Sequence, residues 1–139
     1  MPYALIILDA SAALALLLAE KEGSEVEKII NGTISSNGQI IVPGLFWYEL
    51  GNGLLMAELK NRIPPQSNAA AISSFAQLPI VTQQEMDFPI HNRILGLARE
   101  NGLTYYDASY LELAIRYEAP LKSFDTHLVN LKTSFALIL

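Results

Sequence analysis

The chain has 139 residues, no cysteine, and a formal charge of -5 from 14 acidic and 9 basic side chains. With 51% hydrophobic and 17% charged residues it can bury a core, and intrinsic disorder is excluded. The missing thiols exclude a disulfide scaffold and a Cys-ligated metal centre, His91 and His127 lack the spacing of a His-based zinc site, and the acidic balance excludes a broad basic face for nucleic acid.

Residues 3–19 are apolar almost throughout, but no basic residue precedes them and Asp9 interrupts them. Both features argue against a signal peptide or membrane span. The segment reads instead as a buried strand at 3–8 and a buried helix from after Asp9 and Ala10 to about Glu20, broken by Gly23. A charged amphipathic helix follows at 24–34, a turn at Asn37-Gly38 and a short strand at 39–42. Pro43 opens a long helix to about Lys60, and Pro64-Pro65 a further one to about Leu78. A strand is expected at 79–82, and a helix at 83–101 that is irregular near Pro89 and closed by Gly102. Thr104 opens a helix to Tyr117; strands at 120–124 and 135–139 flank a helical turn at 126–131. Strands alternating with helices predict one α/β domain over residues 1–139. The expected fold is a three-layer sandwich with a mostly parallel sheet of about five short strands.

Most acidic residues fall in solvated amphipathic surface, but four do not. Asp9 follows a buried strand, where open α/β sheets bind ligands, and is equally suited to cap the next helix. Glu49 is the only charge between Gly44 and Ala57, in a helix apolar on most faces. Asn52, three residues on, shares its face and can bond the carboxylate or a ligand. Gly51 and Gly53 weaken that helix by about 1 kcal/mol each relative to Ala, which close backbone packing would explain. Asp107 ends a Thr104-x-x-Asp107 capping box. Asp125 follows the 120–124 strand as Asp9 follows the first. Carboxylates converging at one sheet edge repel, and can all ionise only around a cation. Oxygen donors favour a hard divalent ion, Mg²⁺ or Mn²⁺, whose chemistry suits phosphodiester hydrolysis.

The ordered set LDASAAL, VPGLFWYELGNGL, GLTYYDASYLELA and PLKSFDTHL resembles the PIN-domain ribonucleases, specifically the VapC-type toxins of VapBC toxin–antitoxin systems. The resemblance covers essentially the whole chain. It matches Asp9, Glu49, Asp107 and Asp125 to the family's metal-holding acids. Asn52 matches its helical asparagine, Ser11 a small hydroxyl residue near the first acid, and Ser123 stands at its usual threonine. It implies an Mg²⁺- or Mn²⁺-dependent endoribonuclease, homodimeric and inhibited by a VapB-type antitoxin; the buried strand-and-helix reading of residues 3–19 adds the expectation of a soluble, cytoplasmic protein. Lys60, Arg62, Arg93, Lys122 and His127 are the candidate RNA-phosphate contacts. Trp47, Tyr48, Tyr105, Tyr106 and Tyr110 could stack on bases, or serve as core or dimer contacts. The leucines at 14 and 16–18 give the first helix more apolar surface than one buried face needs, enough for an antitoxin groove or a dimer interface. The alternatives are a PIN-like nuclease of RNA processing or single-stranded DNA, and a catalytically inactive interaction module whose acids only cap helices. An aspartyl phosphotransferase would want a second acid where Ser11 stands.

Overall fold

The computed structural model describes residues 3–139. Strand β1 (Leu5–Leu8) is continuously apolar and lies in the middle of a parallel four-stranded sheet, so Ile6, Ile7 and Leu8 are buried from both faces. The strand order is β3 (Ile80–Gln83), β2 (Gln39–Pro43), β1, β4 (Leu121–Lys122). Helices α1 (Ala10–Leu17) and α2 (Gly23–Ser35) connect β1 to β2; α3 (Gly44–Leu59) and α4 (Pro65–Ala76) connect β2 to β3. Helices α5 (Phe88–Asn101) and α6 (Tyr105–Tyr117) return the chain from β3 to β4, and α7 (Thr126–Val129) follows. The first two crossovers step outward across the sheet and the third steps back. Right-handed connections therefore put α1–α4 on one face and α5–α6 on the other. The packing agrees: α1 contacts α2 and α3, α3 contacts α4, and α5 contacts α6.

This reversal makes a topological switch point between β1 and β4. In a parallel sheet, that is where the carboxyl ends of adjacent strands open a crevice. Asp9 leaves β1 there and Ser123 leaves β4.

The sheet has four strands, not five. At the fifth expected strand, 135–139, only one parallel bridge forms, between Leu121 and Ile138. Its partner β4 is two residues long, because Pro120 has no N–H to donate and the chain turns away at Ser123. The helix expected to run to Glu20 ends at Leu17. Ala19 takes a left-handed φ of 52°, Ala19 N–H bonds Leu16 O at 3.1 Å, and Glu20 N–H bonds Ala15 O at 2.9 Å. That is a Schellman stop built on alanine, which usually takes glycine. Gly23 is not the breaker but the first residue of α2. A Cβ there would lie 2.6 Å from Ala15 O. Residues 84–87 are not helical; α5 starts at Phe88, with Asp87 capping the Ile90 N–H at 2.9 Å and Pro89 in the first turn.

The close packing expected for α3 holds at one of its two glycines. A Cβ on Gly53 would sit 2.3 Å from Leu14 Cδ1 on α1, whereas Gly51 has open space. The leucines of α1 at 14 and 16–18 are half-buried against the core.

Candidate active site

Asp9 is the N-cap of α1. Its Oδ1 accepts the Ala12 N–H at 3.0 Å and the Ser11 hydroxyl at 2.6 Å. Its Oδ2 accepts the Ser123 hydroxyl. Each serine also accepts an amide from the segment that follows β4: Ser11 Oγ from Phe124 N–H at 2.9 Å, Ser123 Oγ from Asp125 N–H at 3.0 Å. Asp9 N–H bonds Lys122 O at 3.2 Å. The two strand ends are thus laced together around one buried carboxylate. Of the two alternatives the sequence left open for Asp9, the hydrogen bonds show the cap, and the capping residue stands at the crevice of the switch point.

Glu49 projects from the first half of α3 and is half-buried. Its Oε1 accepts the Tyr110 hydroxyl at 2.7 Å. Tyr110 is buried on α6, three residues after Asp107. That phenol is the positioning residue the sequence reading missed, having grouped Tyr110 with the aromatics. The i, i+3 spacing from Asp107 was the available signal. Among the described residues the donor to Glu49 is Tyr110, not Asn52, which is exposed one turn further on.

Asp107 sits in the first turn of α6. Thr104 Oγ1 accepts its N–H at 3.0 Å, so the cap engages the backbone of Asp107. One oxygen each of Asp107 and Asp125 and one ring nitrogen of His127 lie within 4.8 Å of one another. Asp125 caps α7 by accepting the His127 N–H at 2.9 Å, and His127 Nδ1 lies 3.2 Å from the same oxygen.

The electrostatics follow from burial and crowding. Burial raises the Asp9 carboxyl above its ordinary range; the Ser11, Ser123 and Ala12 bonds oppose this, and the Asp125 charge adds to it. Burial also raises Glu49, against the Tyr110 bond, with Asp9, Asp107 and Asp125 adding repulsion. Asp107 is raised by burial and then by Asp125, against the Thr104 bond and the His127 charge. Tyr110 is raised by burial and by the Glu49 charge, so it stays a hydroxyl donor. The Asp125 charge reaches Asp9, Glu49 and Asp107, and Glu49 is reached by Asp9 and Asp107 as well. The donor set is oxygen-rich and short of cations, which fits a hard divalent ion.

The expected phosphate contacts scatter. Lys122 is 3% exposed, with its Nζ 2.7 Å from Glu25 Oε1 and 4.7 Å from the centre of the Phe124 ring. It is a buried tie between α2 and β4, and no free cation at the crevice. Arg62 pairs with Glu20 at 3.4 Å. Both Arg62 and Lys60 lie past the far end of α3, which closes at Leu59, roughly 15 Å along the helix axis from Glu49 at 1.5 Å per residue. Arg93 joins Arg116 on the buried Glu112 carboxylate, at 3.3 and 2.9 Å. Only His127, of these five, stands beside the acids. The aromatics divide too. Tyr110 is core, and Trp47 Nε1 is fixed on Thr82 at 2.9 Å. Tyr105 OH meets His91 Nδ1 at 3.0 Å. Tyr48 and Tyr106, each immediately preceding a site acid, are 80% and 58% exposed.

Residues 6–133 match the PIN domain. The chain belongs to the PIN-domain family. The matched span contains all four acids, both site serines and Tyr110. Among solved structures, this PIN domain is similar to PAE2754 from Pyrobaculum aerophilum, with a TM-score of 0.62 and 24% identity over 89% of this chain and 82% of that one. It is also similar to VapC20 of Mycobacterium tuberculosis, a sarcin-ricin loop cleaving toxin, with a TM-score of 0.58 and 12% identity over 86% of this chain and 89% of that one. These likenesses are of fold. No curated protein matches the chain. Among the described residues, no helix is long and apolar enough to cross a membrane.

Proposed function

We propose that this chain is a single PIN domain over residues 1–139 acting as a metal-dependent endoribonuclease, the toxin of a type II toxin–antitoxin pair in the cytoplasm. Its partners are an RNA substrate, a VapB-type antitoxin and a second copy of the chain. The observation that carries the reading is the convergence of Asp9, Glu49, Asp107 and Asp125, three of them raised by burial, at the switch point of a fold whose members are generally nucleases. The sarcin-ricin loop activity of the similar VapC20 supports RNA as the substrate class.

Asp9, Glu49 and Asp107 would hold Mg²⁺ or Mn²⁺, with Asp125 completing the set. Bound there, a divalent ion lowers the pKa of water and neutralises charge on the phosphate and leaving oxygen. The chain's own groups do the positioning. Ser11 and Ser123 fix both oxygens of Asp9, and Tyr110 fixes Glu49. Tyr48 and Tyr106, next in sequence to Glu49 and Asp107, offer exposed rings on which unpaired bases can stack.

The test is cleavage of a labelled structured RNA by EDTA-stripped protein, with and without added Mg²⁺ or Mn²⁺, beside Asp9→Asn. Cleavage should require metal, and Asp9→Asn should lower kcat/KM about a thousandfold, roughly 4 kcal/mol of transition-state stabilisation. The folded protein should melt no lower in EDTA after this substitution, since carboxylate repulsion is relieved. Wild-type rates from Asp9→Asn would overturn the reading. Melting unaffected by metal, together with no cleavage, would favour an interaction module whose acids only cap helices.

A further inference from the structure

The four acids are oxygen donors, but the site also contains one nitrogen donor. His127 follows Asp125 by two residues at the start of α7, and its backbone N–H on Asp125 Oδ1 holds the two side chains on one side of the turn. The imidazole is 69% exposed, its Nδ1 lies 3.2 Å from Asp125 Oδ1, and a ring nitrogen lies within 4.8 Å of ligand oxygens from both Asp107 and Asp125. Asp107 and Asp125 come from different elements, α6 and the start of α7, so this three-donor grouping is made by the tertiary fold. The other histidine, His91, is on α5 against Tyr105 and takes no part.

The nitrogen matters because divalent ions differ in the donors they accept. Mg²⁺ keeps oxygen ligands and its own waters. Among first-row transition ions, iron, nickel, copper and zinc accept imidazole best, and Mn²⁺, though it favours oxygen, accepts it more readily than Mg²⁺ does. An all-carboxylate site is therefore permissive toward Mg²⁺, while a site closed by an imidazole favours the transition series.

We propose that His127 is a nitrogen ligand on the Asp107–Asp125 side of the site and shifts its preference from Mg²⁺ toward a first-row transition ion. This rests on the metal-dependent reading above. It gives His127 a role other than RNA-phosphate contact. Exposure of the ring places no structural demand on it, so His127→Gln should fold and melt like wild type in EDTA.

Mn²⁺ is the probe, because it is paramagnetic. Full-length protein is stripped with EDTA, then titrated calorimetrically with Mn²⁺ and with Mg²⁺, and the Mn²⁺-loaded protein is examined by electron spin-echo spectroscopy for coupling to a nitrogen nucleus. Wild type should show nitrogen coupling. His127→Gln should lose it, with Mn²⁺ affinity falling about tenfold and Mg²⁺ affinity changing less than about twofold. Mn²⁺ bound without nitrogen coupling, or both ions weakened equally by the substitution, would overturn the assignment. In that event, binding that still vanishes in Asp9→Asn leaves the metal-dependent reading standing. Wild-type protein that binds neither ion, and matches Asp9→Asn in every titration, overturns both.

Discussion

The two sides of the acidic crevice are built in opposite ways. On the β1–β4 side, Asp9 is buried, both its oxygens are occupied by hydroxyl donors, and those hydroxyls in turn accept amides of Phe124 and Asp125. On the α6–α7 side, Asp107 and Asp125 are only half-buried and His127 is exposed; Thr104 holds the backbone of Asp107, and Asp125 is held at one oxygen, by His127. A ligand atom whose every bond is fixed costs little reorganisation when charge arrives, which is what preorganisation means for a reacting site. A loosely held rim can adjust to an ion and a substrate phosphate of varying position. One side sets the site's place in the fold, and the other gives it an opening.

This contrast can be broken by substitutions on each side. The largest stability effect is expected for Ser123→Ala. It removes a donor to a buried carboxylate and the acceptor of the Asp125 N–H, and should cost about 2 kcal/mol in urea unfolding. Thr104→Ala, the matching change on the open side, removes an exposed helix cap and should cost about 1 kcal/mol. Equal losses at the two positions would erase the distinction between a fixed and an adaptable side.

A smaller shift concerns pH. Asp9, Glu49 and Asp107 are all raised in the folded state. Each binds its proton more tightly when folded, so its contribution is fully present below the unfolded values, 3.8 for Asp and 4.5 for Glu, and is lost as pH rises through the raised folded values. Metal-free protein should therefore melt about one to three degrees higher as pH falls from neutral into the window just above the ordinary carboxylate range. Asp9→Asn should flatten that rise more than Asp107→Asn does, because Asp9 is the more deeply buried. A metal-free melting temperature that falls steadily over the same range would contradict the assigned direction.

Much of the fold was legible because its signals are local. The apolar run of β1, the Pro-initiated α3 and α4, Gly102 at the end of α5 and the capping Thr104 each act within a few residues. What misled was equally local. Ala19 takes a conformation usually left to glycine, so the end of α1 carried no mark. The last apolar run looked like a strand, but its partner β4 has only two residues to pair with. At the site, Asp9, Glu49, Asp107 and Asp125 stood out by context, and the two serines by their place near Asp9 and in the late motif. Tyr110 did not, because a buried tyrosine in an apolar helix looks like core until its hydroxyl is seen on Glu49. Lys122 failed in the other direction. It was one of five candidate phosphate contacts, yet a strand's alternation turns successive side chains to opposite faces, and Glu25 waits on the other side.

The sequence by itself determined the element types, the parallel α/β architecture and which carboxylates lacked an ordinary explanation, because burial pattern, turn chemistry and isolated charge are written residue by residue. The tertiary structure alone decided that β1 and β4 are neighbours, that Ser11 and Ser123 grip the same carboxylate, that Tyr110 reaches Glu49, and that His127 joins Asp107 and Asp125. Those pairings span up to 114 positions along the chain. They depend on strand order and crossover direction, which no local pattern encodes.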